Sequence, residues 1–230
     1  MRRRRRPLDD RITALAQAAD LAEGRVDPAL VGRAREVVAR AGARRGLSLR
    51  HTVAAVAGAT GSGKSSLVNA LAGAELVEVG VTRPTTAKAQ AVVWGPEGSG
   101  PLLDWLDVPL RHTVGASVAD AEEQSGLILL DLPDHDSIML SHRLEVDRLV
   151  AVVDLLIWVL DPQKYADAAV HERYLRPLAR HRDVVIVVLN QIDRLPGPAV
   201  SRCLAHLRRL LAADGLTDVP VPGVSARSGE

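Results

Sequence analysis

Thr52-Val53-Ala54-Ala55-Val56-Ala57, then Gly58-Ala59-Thr60-Gly61-Ser62-Gly63-Lys64-Ser65, then Ser66-Leu67-Val68-Asn69-Ala70-Leu71-Ala72: these 21 residues decide the fold. Thr52–Ala57 reads as a short buried strand and Lys64–Ala72 as a helix with an apolar face. Between them, residues 58–65 fit the pattern G-x-x-x-x-G-K-[ST] without a mismatch. Glycines let successive backbone N–H groups turn inward around a phosphate. The helix opening at Lys64 adds the positive end of its dipole. Ala59, Thr60, Gly61, Ser62, Gly63, Lys64, Ser65 and Ser66 are therefore candidate nucleotide contacts. In this pattern the lysine reaches the β- and γ-phosphates and the final hydroxyl binds Mg²⁺. The pattern alone does not separate ATP from GTP, nor hydrolysis from phosphoryl transfer to a second substrate.

The rest of the composition sets the frame. A chain of 230 residues with 47% hydrophobic residues can bury a real core and is not a disordered chain. Net charge is +1, so no global charge points to nucleic acid. The charge is nonetheless divided: residues 1–50 hold 13 basic against 6 acidic side chains, while the remainder holds 16 against 22. The excess lies mainly in Arg2–Arg6, a run that suits a solvated tail or an anionic surface. The single cysteine, Cys203, excludes an internal disulfide. No apolar segment follows the arginine run, and the longest apolar run, Leu155–Leu160, is far below the ~20 residues of a membrane span. Only three lysines occur, Lys64, Lys88 and Lys164, which gives weight to the one inside the glycine-rich loop.

Working outward, residues 1–7 form a basic tail and residues 8–50 a helical hairpin. Its first helix ends at Gly24, and its second starts with Asp27 as N-cap and Pro28 in the first turn. Residues 51–230 alternate strands with helices, which argues for a three-layer α/β/α domain on a mostly parallel six-stranded sheet. Further strands are expected at Ala89–Trp94, Leu127–Leu130, within Val150–Leu160, at Val184–Leu189 and at Asp218–Val224, with a helix over Pro198–Ala213. Residues 95–126 read as a long insertion. One more helix would be expected after the last strand, so the chain is expected to be part of a longer protein.

Four more segments carry chemistry. Val81-Thr82-Arg83-Pro84-Thr85-Thr86 precedes the second strand, and Asp131-Leu132-Pro133-Asp134-His135 follows the third. Asn190-Gln191-Ile192-Asp193 follows the fifth, and Ser225-Ala226-Arg227 the sixth. With the phosphate loop these make five motifs in order across residues 52–227. On them the chain resembles the translation-factor-related class of P-loop GTPases, in its Era-like and dynamin-like members, of the large-ribosomal-subunit-binding type.

The resemblance implies a G domain that binds GTP and GDP with Mg²⁺, hydrolyses GTP and acts as a nucleotide-dependent switch. Asp193 would accept from the N1–H and N2 amine of guanine, a donor pair adenine lacks, so a mismatched base leaves a carboxylate unpaired. Asn190 would brace the loops. Gln191 stands where the family has a lysine. The Ser225-Ala226-Arg227 turn would offer a backbone N–H to guanine O6. Ser65 and Thr86 would hold the metal directly and Asp131 through water, with Thr85 and Thr82 as alternatives to Thr86. Asp134 stands where the family has its switch glycine, which puts an acidic side chain beside the γ-phosphate position. His135, beside it, is placed to position the attacking water. Lys64, Thr86 and His135 are thus the catalytic candidates. Gly61 replaces the asparagine of potassium-dependent members, so potassium is not implied. Arg83 and Arg143 are candidates for arginine fingers in a nucleotide-dependent homodimer. Rival readings are a nucleotide-gated scaffold with negligible turnover and an ATP-dependent kinase or ATPase. Era-like relatives work on ribosomes and dynamin-like ones at membranes. The expected location is therefore cytoplasmic, peripheral or anchored at the inner membrane through sequence beyond residue 230.

Overall fold

A computed structural model of the chain describes residues 7–48, 50–78, 88–114, 125–133 and 152–230. The chain divides into two compact units, Met1–Leu49 and Arg50–Glu230.

The first unit is an antiparallel pair of helices, α1 (Leu8–Ala22) and α2 (Pro28–Leu47). Asp27 caps α2 by accepting the N–H of Ala29 at 2.9 Å, with Pro28 in the first turn, where its missing N–H costs nothing. Arg35 of α2 clasps Asp20 and Glu23 at 3.2 and 2.8 Å. The Arg35 hydrogen bond holds the Glu23 carboxyl below the usual carboxylate range. Leu8, Leu21, Leu30 and Val37 stay exposed. Among the described residues no helix is long and apolar enough to cross a membrane.

The second unit is built on a six-stranded sheet. Its strands are β1 (Thr52–Gly58), β2 (Gln90–Val93), β3 (Leu110–Thr113), β4 (Leu127–Asp131), β5 (Leu155–Leu160) and β6 (Val185–Leu189), in the order β3-β2-β4-β1-β5-β6. β2 runs antiparallel to β4, and the other pairings are parallel. The helices are α3 (Lys64–Ala72), α4 (Gly100–Trp105), a helical run over 168–184 with a π turn at His171–Leu175, and α5 (Gly197–Ala213). β1 lies near the centre, and Val53–Ala57 are buried, as a strand covered on both faces must be. Val56, Val68, Val92, Leu129, Val159 and Val188 meet in one core cluster, which welds α3 to the sheet.

Two expectations about strands need correcting. The stretch 95–126 is not a plain insertion, because it contributes α4 and the edge strand β3. β3 reads Leu-Arg-His-Thr and is largely exposed, so no apolar alternation announces it. The sixth strand is therefore β3 and not Asp218–Val224. The latter segment runs beside β6 and makes one isolated bridge, Leu189 with Gly223. It accepts from Val187 and Leu189 at the carbonyls of Pro220 and Pro222 and donates back from Val224. Pro220 and Pro222 have no N–H to return to β6, so the ladder stays at one bridge. Within Val150–Leu160 the strand occupies only Leu155–Leu160.

Candidate functional site

β1 ends at Gly58, where the backbone turns into the loop. Gly58 has φ +154°, and a Cβ there would meet the carbonyl oxygen of Val159 on β5 at 2.3 Å. No other residue fits so close to a neighbouring strand. Gly63, at φ +88°, is the second obligatory glycine, since a Cβ would meet Asn190 Nδ2 at 2.4 Å. α3 starts at the next residue, so its unpartnered N–H groups open toward the loop.

Lys64 is buried, and its Nζ donates to the Ala59 carbonyl at 3.2 Å. Ser65 Oγ donates to Asp131 Oδ2 at 2.6 Å, joining the start of α3 to the end of β4. Ser62 Oγ is buried in the loop and has no hydrogen-bond partner among the described residues. A hydroxyl and a single carboxylate suit Mg²⁺, which takes few protein ligands and completes its shell with water and phosphate oxygens. Among the described residues there is no cluster of three or more His, Cys, Asp or Glu that would suit a protein-caged metal instead. The buried ammonium, the orphaned hydroxyl and the Ser65–Asp131 pair thus fit a magnesium-bound polyphosphate.

The other wall comes from the ends of β6 and the 223–227 turn. Asn190 is buried, and its Nδ2 donates to the carbonyls of Ser62 (3.0 Å) and Gly63 (3.4 Å). Its Oδ1 accepts the Ala226 N–H at 3.1 Å. One side chain therefore ties the phosphate loop to the Ser225-Ala226-Arg227 turn. Gln191, at φ +62°, sends its Nε2 to the Gly61 carbonyl at 2.8 Å. It braces the loop with a neutral amide in the family's lysine position. Asp193 Oδ1 accepts from Ser225 Oγ at 2.8 Å, which orients the carboxylate. Between these walls lies a cavity of about 620 Å³, lined by Gly63, Ser66, Gln191, Asp193 and Arg227 among others. The volume falls in the range of small-ligand sites.

The sequence-expected residues thus sort into two groups. Gly63, Ser66, Asn190, Gln191, Asp193, Ala226 and Arg227 line the cavity. The rest of the loop adjoins it, with Asp131 bonded to Ser65 and Ser225 to Asp193. Within the turn expected to offer a backbone N–H, the Ala226 N–H donates to Asn190 Oδ1. Thr82, Arg83, Thr85, Thr86, Asp134, His135 and Arg143 lie outside the described residues. Two residues were missed. Asn69 of α3 accepts the N–H groups of Leu76 and Val77 at Oδ1 and donates to the Val77 carbonyl, shaping the cavity's far rim. Lys164 Nζ donates to the Thr60 carbonyl at 3.2 Å, and its only sequence signal is the scarcity of lysine.

Known proteins with the same architecture bear on these observations. Residues 53–191, more than half of the chain, match the family model described as 50S ribosome-binding GTPase. No curated protein matches the chain significantly. Among solved structures, a bacterial dynamin pair described as sensing and tethering membranes aligns with 96% of this chain and 38% of its own, at 14% identity and a TM-score of 0.56. Era from Aquifex aeolicus, bound to GDP and aluminium fluoride, aligns with 77% of this chain and 52% of its own, at 19% identity and a TM-score of 0.54. Toc33 from Arabidopsis thaliana aligns with 85% and 79% at 14% identity and a TM-score of 0.53. These likenesses concern the fold. The chain spans 38% to 52% of the length of the dynamin-pair and Era chains. Its own phosphate loop, sheet order and family match lead to one conclusion: the chain belongs to the 50S ribosome-binding GTPase family.

Proposed function

We infer that the chain binds GTP and GDP with magnesium, hydrolyses GTP to GDP and phosphate, and works as a nucleotide-dependent switch. One observation carries the reading. Asn190 and Gln191 hold the carbonyls of Ser62, Gly63 and Gly61, so Gly63 of the phosphate loop and Asp193 border a single cavity. A polyphosphate on the loop then puts its base against Asp193.

The residues divide the work. The loop N–H groups and Lys64 bind the β- and γ-phosphates and stabilise charge as the γ-phosphoryl group transfers. Asp193, oriented by Ser225, selects a base with two adjacent donors. Ser65 and Asp131 would hold Mg²⁺, which when bound neutralises phosphate charge. Thr86 would complete that shell and His135 would orient the attacking water, both by the resemblance of their segments.

Phosphate release from GTP and from ATP, with magnesium and with a chelator, tests this reading. We expect release from GTP with magnesium only, at least about tenfold above ATP, since each 1.4 kcal/mol of discrimination is a factor of ten. Equal release from both nucleotides, or faster release from ATP, would refute it.

A further inference from the structure

Lys164 belongs to none of the five motifs, yet the fold takes trouble to place it. It sits on the turn that leaves β5. Asp161, buried, accepts the N–H groups of Gln163 (2.8 Å) and Lys164 (3.1 Å) at Oδ1. The Asp161 carbonyl accepts those of Lys164 (3.2 Å) and Tyr165 (3.0 Å). The next residues are pinned from α5 and the π turn. The Tyr165 hydroxyl meets His206 Nδ1 at 3.0 Å, and His171 Nε2 donates to the Tyr165 carbonyl at 2.8 Å. His171 is itself held by Asp214, whose other oxygen takes Arg176 Nε at 2.9 Å. The backbone bearing Lys164 is therefore preorganised.

From that platform the side chain crosses to the phosphate loop, where Nζ donates to the Thr60 carbonyl. Lys164 is half-buried, and its ammonium has three donors. Among the described residues the Thr60 carbonyl is its one partner, and no carboxylate pairs with it. A cation drawn partly out of water without a counter-ion is unfavourable unless an anion joins it. Two of the three lysines in the chain hold carbonyls of this loop, Lys64 at Ala59 and Lys164 at Thr60. Everywhere else the chain relies on arginine, apart from Lys88. A compact ammonium on a flexible stem can shift from a carbonyl to a nearby phosphate oxygen.

We propose that Lys164 is a second phosphate cation, supplied by the same chain, which turns from the Thr60 carbonyl to the terminal phosphate oxygens of GTP. The proposal rests on the guanine-nucleotide reading above. In the step it assists, water oxygen bonds to the γ-phosphorus. The bond to the β,γ-bridging oxygen breaks, and its electron pair leaves with GDP. The protons of the water leave with inorganic phosphate. Lys164 neither gives nor takes a proton. Its charge opposes the negative charge that gathers on the terminal and bridging oxygens.

The experiment compares wild type, Lys164→Gln, Lys164→Met and Lys164→Arg. For each, GDP affinity, single-turnover GTP hydrolysis, and trapping of GDP by aluminium fluoride with magnesium are measured on the full chain. We expect the Gln and Met variants to bind GDP within about threefold of wild type, to hydrolyse GTP about 100-fold more slowly and to lose the fluoride-trapped complex. Lys164→Arg should keep the trapped complex and most of the rate. Loss of GDP affinity in parallel with rate would make Lys164 only a brace of the loop and overturn the proposal, as would unchanged rate and trapping. A wild-type chain that binds no GDP would instead sink the nucleotide reading on which the proposal stands.

Discussion

Ser65 and Asp131 illustrate what one hydroxyl does here. Ser65 Oγ donates to a fully buried carboxylate at 2.6 Å, and under the proposed function both groups would hold magnesium. Ser65→Ala should lower GDP affinity about tenfold in the presence of magnesium. It should leave the affinity in chelator nearly unchanged. Titration of fluorescent GDP under both conditions checks this, and an equal loss in both would mean that Ser65 supports the loop and not the metal. Residues of this kind were legible from the sequence because their chemistry fixes their spacing: Gly58, Gly63, Lys64 and Ser65 fall in one unbroken loop. Lys164 was not legible in that way. Its partner lies 104 residues earlier in the chain, and only the closing of β5 against β1 brings the two together.

Elements position these residues, and the turn after β5 depends on side chains gathered on the buried Asp214. Asp214, at the end of α5, has 3% side-chain exposure and joins His171 to Arg176. The His171 Nε2 faces a carbonyl, which only accepts, so that nitrogen carries a proton. Asp214→Ala would leave the His171 ring without its carboxylate inside the protein. We expect a loss of about 3 kcal/mol. For a domain of this size that corresponds to a fall of about 6–12 °C in Tm. Thermal unfolding followed by circular dichroism checks it, and an unchanged Tm would show that this cluster contributes no stability. At this scale the sequence was readable where periodicity is strong and misleading where it is weak. β1, β5 and β6 are aliphatic runs that need cover on both faces, and α3 and α5 have capped or helical patterns. β3 is a polar edge strand of four residues inside a loop-like stretch. The segment 218–224 has the apolar content of a strand, but its two prolines withhold the donors a ladder requires.

On the scale of the whole molecule, every described residue of the candidate site lies in the unit Arg50–Glu230. Removing residues 1–49 should therefore leave GDP affinity within about twofold, a change well under the 1.4 kcal/mol of a tenfold loss. A larger loss in the shortened chain would assign the helical hairpin a part in the site. Nucleotide should also stabilise the domain as a unit. GDP at 100 times its Kd adds about 2.7 kcal/mol, or about 5–10 °C in Tm. The fold class could be read early because the phosphate loop demands a strand before it and a helix after it. The wall proposed to bind the base could be read only as separate motifs. Its unity comes from Asn190, which touches the loop with its amide nitrogen and the 225–227 turn with its amide oxygen.

The central claim is that one loop grips the phosphates of a nucleotide whose base Asp193 chooses. Calorimetric titration of the full chain with GDP and with ADP, in magnesium, for wild type and Asp193→Asn, tests it most directly. The account predicts GDP binding at least about 100-fold tighter than ADP in wild type, as a buried acceptor left unpaired by adenine requires. It also predicts that Asp193→Asn abolishes that preference while ADP binding stays the same. Equal affinity for the two nucleotides in wild type, or an unaltered preference in the variant, would contradict it.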